Sequence, residues 1–365
     1  MKISRRKFIT RTGSALIVWP AIAMETNLTL APTGESAVPS RSEPRIIDCQ
    51  SHLFCPDIIG IMEQRKTDPL VYRKDGERYV QMGPWHRKIL PNHMDVDAKL
   101  ADMDANGIAV TALSINDPGP EWFGDQGPAV AKMANDFIAG IARRHPRRFI
   151  GLCVLPMQDE RAAQAELERC ISRLGMKGLL LYTNLAGRFP DEPQYQWLYA
   201  RASELRVPVL LHPAKPVTAD WLKDYEMISA VGNMFEDTIA LTRLIMSGVL
   251  DRFPKLKLVC PHLGGTLPYI IGRLDHQVQV LRRGPKGLPR LPSEYLRQVW
   301  LDIVSPLPAA MRFAYDLLGP ERLLFASDHP WVEPRLILEA LRSLKLPKAD
   351  EARILGQNAR SLFSG

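Results

Sequence analysis

VPVLLH (207–212), LKLVCPH (256–262) and LLFASD (323–328) are built alike: each is a short apolar run that ends in a histidine or an aspartate. RIIDCQSH (45–52) repeats the pattern near the front of the chain. Runs of this length, rich in Val, Ile and Leu and free of alternation, read as strands buried on both faces. Four more follow the same rhythm at 108–115, 149–155, 178–182 and 299–304. Between them lie amphipathic stretches of helical length at 96–106, 128–144, 160–174, 194–205, 235–250 and from 267, with two more at 333–344 and 350–362. Strand and helix in alternation predict a parallel sheet with helical crossovers, and eight strands predict a closed (β/α)8 TIM barrel, an α/β fold. A dinucleotide-binding sheet is disfavoured, because no GxGxxG follows a strand. One long insert, 53–95, interrupts the rhythm and carries Trp85, His86 and Arg87.

The 365 residues carry 46% hydrophobic and 24% charged side chains, an ordinary globular balance. The net charge of +7 is concentrated at one end. Lys2, Arg5, Arg6, Lys7 and Arg11 precede residue 24 and no acid does, which leaves 42 bases against 40 acids in the remainder. Nucleic-acid binding needs a concentrated basic face, and the body of the chain offers none. The front reads instead as a twin-arginine signal peptide over 1–23. Ser4-Arg5-Arg6-Lys7-Phe8-Ile9 is followed by a short apolar run, 13–20, and by Ala21-Ile22-Ala23, a small-x-small cleavage triplet. The run is too short to anchor the mature protein in a bilayer. Export to the periplasm through the twin-arginine machinery is the expectation, followed by a flexible leader over 24–44 and the barrel over 45–365. Cys49, Cys55, Cys153, Cys170 and Cys260 are odd in number and lack a CxxC pair, so no disulfide framework is indicated. Cys153 and Cys260 fall in apolar runs and read as core.

Chemistry in a parallel barrel sits at the C-terminal ends of the strands. Four of those ends carry His52, His212, His262 and Asp328. Imidazole nitrogen and carboxylate oxygen are the donors of a catalytic divalent site, with a position left for water or substrate. His52, His212 and Asp328 suit the ligand role, and His262 suits a base or proton donor beside them. Gln50 stands two before His52 and leaves the same face of its strand.

IIDCQSHLFCP, VLLHPA, VCPHLGG, LLFASDHPW and ILGQNARSLF occur in order across 46–363. On these pieces the chain resembles the amidohydrolase-related decarboxylases, the group of 2-amino-3-carboxymuconate-6-semialdehyde decarboxylase and the resorcylate-type enzymes. The resemblance implies that His52, His212 and Asp328 bind one divalent metal, zinc or manganese, and that His262 is the catalytic histidine. It also implies that Asp328 relays a proton. The family carries His-x-His or Glu-x-His in the first strand, and here the first position is Gln50. Three readings of that residue stay open: a weak fourth ligand, a hydrogen-bonding partner for water or substrate, or a sign that metal and activity are lost. Arg273, eleven residues after His262, matches an arginine that reaches a neighbouring subunit's site and grips a substrate carboxylate, so a homodimer is implied. The bland alternative for Arg273 is a surface ion pair.

Asn184, Arg188 and Trp331 are further pocket candidates. Trp85 reads equally as an anchor for its loop, His145 as a solvated helix end, and His329 as either a loop residue or support for the site. The leading function is a carboxy-lyase acting on a carboxylated aromatic or unsaturated acid without redox chemistry. A metal-dependent hydrolase of a lactone, ester or amide uses the same residues. A decayed, non-catalytic binding protein is the third reading, motivated by Gln50.

Overall fold

The computed structural model describes residues 45–364, so the export segment read at 1–23 and the leader at 24–44 lie outside the described residues. Its strands are β1 (Ile46–Leu53), β2 (Leu70–Lys74), β3 (Glu77–Met82), β4 (Trp85–Ile89), β5 (Ile108–Ile115), β6 (Phe149–Cys153), β7 (Gly178–Tyr182), β8 (Val209–His212), β9 (Leu258–Cys260), β10 (Trp300–Asp302) and β11 (Leu323–Leu324). Eight of these form one sheet in the order β1-β5-β6-β7-β8-β9-β10-β11, with parallel pairing and helices between consecutive strands. The sheet closes on itself. Cys49 N–H donates to Phe325 O at 3.0 Å, Asp328 N–H to Gln50 O at 3.0 Å, and His52 N–H to His329 O at 2.8 Å. The expected (β/α)8 barrel is the fold.

All eight residues of β1 and all five of β7 are buried, as the unalternating apolar runs demand when helices cover the outside and side chains fill the inside. Cys153 and Cys260 belong to that core. The long insert proves more ordered than its sequence suggests. β2, β3 and β4 form a small antiparallel sheet that Trp85 anchors, its indole N–H donating to Ser229 Oγ at 2.9 Å. The helix expected at 235–250 runs Asn233–Met246 and breaks at Gly248, whose φ of 77° suits a residue without a Cβ. Among the described residues no helix is long and apolar enough to cross a membrane.

Behind the seam between β1 and the 325–329 segment lies a buried polar cluster. Lys99, from the helix Val96–Ala105, is 1% exposed. Its Nζ donates to Ser51 Oγ at 2.6 Å and to His329 Nδ1 at 2.7 Å, and Ser51 Oγ donates to His329 O at 3.0 Å. Asp48 accepts from Ser327 N at 3.0 Å and from Ser327 Oγ at 2.6 Å. Burial pushes Lys99 down to about 7 and Asp48 up to about 6, so the two groups depend on each other's charge. His329 therefore supports the seam and does not enter the site; its Nε2 meets Asp102 at 2.9 Å. We expect Lys99→Met to destabilise the fold by about 3 kcal/mol, since it strips the partner from buried polar groups. The denaturation midpoint measures this, and an unmoved midpoint overturns the assignment.

Candidate metal and catalytic site

Three side chains converge at the mouth of the barrel. His52 leaves β1 opposite Ser114 of β5, and its Nδ1 lies 2.7 Å from Ser114 Oγ. His212 ends β8, and its Nδ1–H donates to Pro213 O at 2.8 Å, which fixes the tautomer and leaves a lone pair on Nε2. Asp328 follows β11 with a φ of 57°, a left-handed turn that aims its carboxylate inward. Asp328 Oδ1 lies 3.2 Å from His52 Nε2 and 3.7 Å from His212 Nε2.

This trio fits a divalent ion. One ligand atom from each residue lies within 4.8 Å of the others. His52 Nε2 and His212 Nε2 are buried and have no hydrogen-bond partner. Two unpaired buried nitrogens facing one carboxylate are costly by themselves and well matched to a shared cation. Burial, helped by neighbouring His212, lowers His52 to about 4, so its ring is neutral and free to donate. Burial alone favours a protonated Asp328, but the surrounding histidines override it and hold that carboxyl well below the usual range.

His262 stands beside the trio, not within it. Its Nε2 is 3.7 Å from Asp328 Oδ2, and its Nδ1 is 2.8 Å from Asp237 Oδ2. Burial works to lower the imidazole's pKa, yet Asp237 and Asp328 together raise it well above its ordinary value. Two carboxylates thus face the His262 ring and favour its protonated form. Its backbone N–H donates to Asp302 Oδ1 at 2.8 Å, which sets the ring's approach. Gly265 (φ 63°) docks this loop on the helix that carries Asp237: a Cβ there would collide with Met234 O, and Thr266 N–H donates to Thr238 Oγ1 at 2.8 Å.

Gln50 lies at the site and donates Nε2–H to Asp328 Oδ1 at 3.0 Å. Trp331 packs by the mouth against Phe54, His93 and Arg87, with its indole N–H on Asn116 Oδ1 at 2.8 Å. Asn184 spends both ends of its amide on backbone, donating to Lys215 O at 2.8 Å and accepting from Gly187 N at 2.6 Å, so it shapes the loop. Arg188 is exposed and pairs with Glu192. Arg273 lies on the exposed side of the helix Leu267–Gln279 and makes no ion pair among the described residues. His86 bonds the Tyr72 hydroxyl away from the mouth, while Arg87 grips Asp117 with both terminal nitrogens, at 2.7 and 2.6 Å. His145 caps a helix end against Phe149.

Asp237, Asp302 and Ser114 are the site residues that strand-end reading missed. Asp237 left one signal: it occupies the apolar stripe of its helix, with Ala240, Leu241 and Leu244 at i+3, i+4 and i+7. An acid in that stripe needs a buried partner.

Known proteins match the chain in sequence and in fold. The chain is 29% identical over 294 residues to 2-amino-3-carboxymuconate-6-semialdehyde decarboxylase of Dictyostelium discoideum, covering 76% of this chain and 79% of that one. The crystal structure of 5-carboxyvanillate decarboxylase from Sphingomonas paucimobilis superposes with a TM-score of 0.78 at 27% identity, covering 88% and 99% of the two chains. A dihydroxybenzoic acid decarboxylase from Polaromonas, solved with manganese and the inhibitor 2-nitroresorcinol, gives a TM-score of 0.73 at 26% identity, covering 88% and 97%. The amidohydrolase family model matches residues 47–365. A barrel with this histidine–aspartate mouth, matched over nearly its whole length, belongs to the amidohydrolase family.

Proposed function

We propose that the protein is a metal-dependent carboxy-lyase that removes CO2 from a carboxylated aromatic or unsaturated acid without redox chemistry. One observation carries the reading: His262 stands beside the ligand trio, its Nε2 3.7 Å from Asp328 Oδ2 and its Nδ1 held by Asp237 at 2.8 Å, so the ring is oriented to hand over a proton. Decarboxylation needs such a proton for the carbon that loses its carboxylate, and the similar proteins named above are decarboxylases.

A divalent ion on His52, His212 and Asp328 would supply Lewis-acid polarisation and neutralise substrate charge. The protein's own groups do the rest. His262 Nε2 holds the proton, with Asp328 Oδ2 facing it at 3.7 Å. The proton bonds to the carboxyl-bearing carbon, drawing on the substrate's π electrons. The carbon–carboxylate bond then breaks, its electron pair restores the π system, and CO2 departs. Proton in and CO2 out balance, with no oxidant. Asp237 keeps the imidazole oriented, and the ring is neutral once its proton has passed to the carbon.

Zinc suits two imidazoles and a carboxylate, and manganese is the alternative carried by the Polaromonas relative. We also propose a homodimer in which Arg273, exposed and without an ion pair among the described residues, reaches the substrate carboxylate of a second copy. The twin-arginine segment supports export to the periplasm.

Purified protein should hold about one ion per chain, the complement of a single three-ligand site. Chelation should lower Tm, since an ion at a thousand times its Kd contributes about 4 kcal/mol. A metal-free protein indifferent to chelator points instead to a binding role. His262→Ala should abolish CO2 release while metal content stays unchanged, and surviving turnover refutes the mechanism. Asp237→Asn should cut kcat by about a hundredfold or more through loss of the charged acid, again with metal retained. A kcat within twofold of the parent, as a rough threshold, would remove Asp237 from the mechanism.

A further inference from the structure

The end of the barrel opposite the mouth carries a charge pattern that the chemistry does not use. All strands of a parallel barrel begin there. Arg147 stands two residues before β6, Lys177 one before β7, Arg206 three before β8 and Lys255 three before β9, and all four are exposed. Backbone bonds hold these strand starts on one rim: Lys177 N–H donates to Gly151 O at 3.0 Å, and Val209 N–H to Lys257 O at 2.8 Å. Arg45, one residue before β1, donates from Nη2 to Arg147 O at 3.3 Å. Arg144 ends the helix Gly127–Arg144 on the same rim. The last helix, Asn358–Phe363, lies across this end, with Lys257 Nζ donating to Leu362 O at 2.9 Å and Asn358 Nδ2 to Leu323 O at 2.8 Å. Along the sequence these cations are scattered, one or two to a loop, and only the closed barrel gathers them.

Acids do not balance the rim. Arg144, Arg147, Lys177, Arg206 and Lys255 make no ion pair among the described residues. Nearby acids are already engaged: Asp104 with Arg148 at 2.6 Å, Glu321 with Arg353 at 3.3 Å, and Glu204 with Arg201 at 2.8 Å. Burial, and then the nearby Arg206, holds Lys257 below its usual range, as expected of cations gathered without a counter-charge. Helix dipoles account for part of the pattern, since cations suit helix C-termini. They explain Arg144, but not Arg147, Lys177 or Lys255, which lie past the helix ends.

A basic rim without counter-charges fits an anionic partner, and its form narrows the choice. Single-stranded nucleic acid asks for aromatic stacking platforms, and insertion into lipid asks for apolar protrusions. The most exposed aromatic side chains, Trp221, Tyr225 and Tyr269, follow β8 and β9 at the opposite end. A layer of acidic phospholipid head groups asks only for clustered cations on a broad face. Arg45 is the first described residue, so the basic export segment expected over 1–23 joins the body on this same side. We propose that the basic end of the barrel docks on the surface of a bilayer containing anionic phospholipid, with the metal mouth turned to solvent. Attachment is electrostatic and reversible, and the mouth stays open to substrate while the protein is held.

Sedimentation of the full chain with vesicles tests this. Vesicles of phosphatidylglycerol mixed with phosphatidylcholine should carry the protein down, pure phosphatidylcholine should not, and high salt should release it by screening. Arg144→Gln, Arg147→Gln, Lys177→Gln and Lys255→Gln combined should weaken binding by about a hundredfold or more with Tm unchanged. In the parent protein, vesicles should shield Lys177 and Lys255 from an amine-acetylating reagent and leave Lys223, in the exposed loop after β8, reactive. That shielding pattern decides alone should the combined variant prove unstable. Indifference of the parent to phosphatidylglycerol overturns the proposal, as does a folded variant that binds like the parent, or shielding of Lys223 in place of Lys177 and Lys255. Capture of a short DNA duplex in preference to the vesicles overturns it in favour of a nucleic acid.

Discussion

Three backbone hydrogen bonds across one seam organise this molecule. Cys49, Gln50 and His52 of the first strand meet Phe325, Asp328 and His329 at the other end of the sheet. The contacts that close the barrel are also those that set His52 beside Asp328, so fold closure and site assembly are one event. The seam is short, because β11 itself has only two residues, Leu323–Leu324. Its extension past Ser327 depends on side chains: Asp48 on Ser327, Ser51 and Lys99 on His329. A buried ammonium is a costly support, since its solvation is lost. Here it has a specific use, tying Ser51 to His329 beside the left-handed Asp328.

Charge placement at the mouth follows the same economy. Asp328 faces three histidines, but they are not equivalent. His52 is neutral because it is buried beside another histidine, and His212 donates its Nδ1–H in a hydrogen bond to the Pro213 carbonyl. Only His262 has a carboxylate of its own, Asp237, and only His262 is driven towards the imidazolium. Ligand and acid are the same residue type separated by what lies behind each ring.

How much of this the sequence disclosed depends on where the signal was local. The barrel strands and three of the four mouth residues lie at the ends of apolar runs, and Asp328 sits just beyond another, so periodicity and position revealed them together. The insert sheet did not announce itself. Its strands, such as LVYRK and ERYVQM, are half-exposed and polar, and only Val71, Val80, Met82, Trp85 and Ile89 are buried, too few for a clear alternation. Asp237 was hidden for a different reason. Its partner is 25 residues away, and a carboxylate in a helix reads as solvent-facing until its place in the apolar stripe is counted. Asn184 could be read from its position just after a strand, but the bonds its amide makes to the backbone of its own loop and the next could not.

Gln50 gains sense from these charges. Its Nε2 is 3.0 Å from Asp328 Oδ1. A glutamate at that position would set two carboxylates at this distance in a dry mouth, a repulsion that only a bound cation relieves. An imidazole would add one more unpaired nitrogen to the two already orphaned at His52 and His212. The amide instead donates to Asp328, so the carboxylate keeps a partner whether or not a cation is present. The cost is a weaker fourth donor, because an amide oxygen is neutral and must turn away from Asp328 to offer itself. Gln50 thus exchanges ligand strength for a carboxylate that stays hydrogen-bonded with or without a cation.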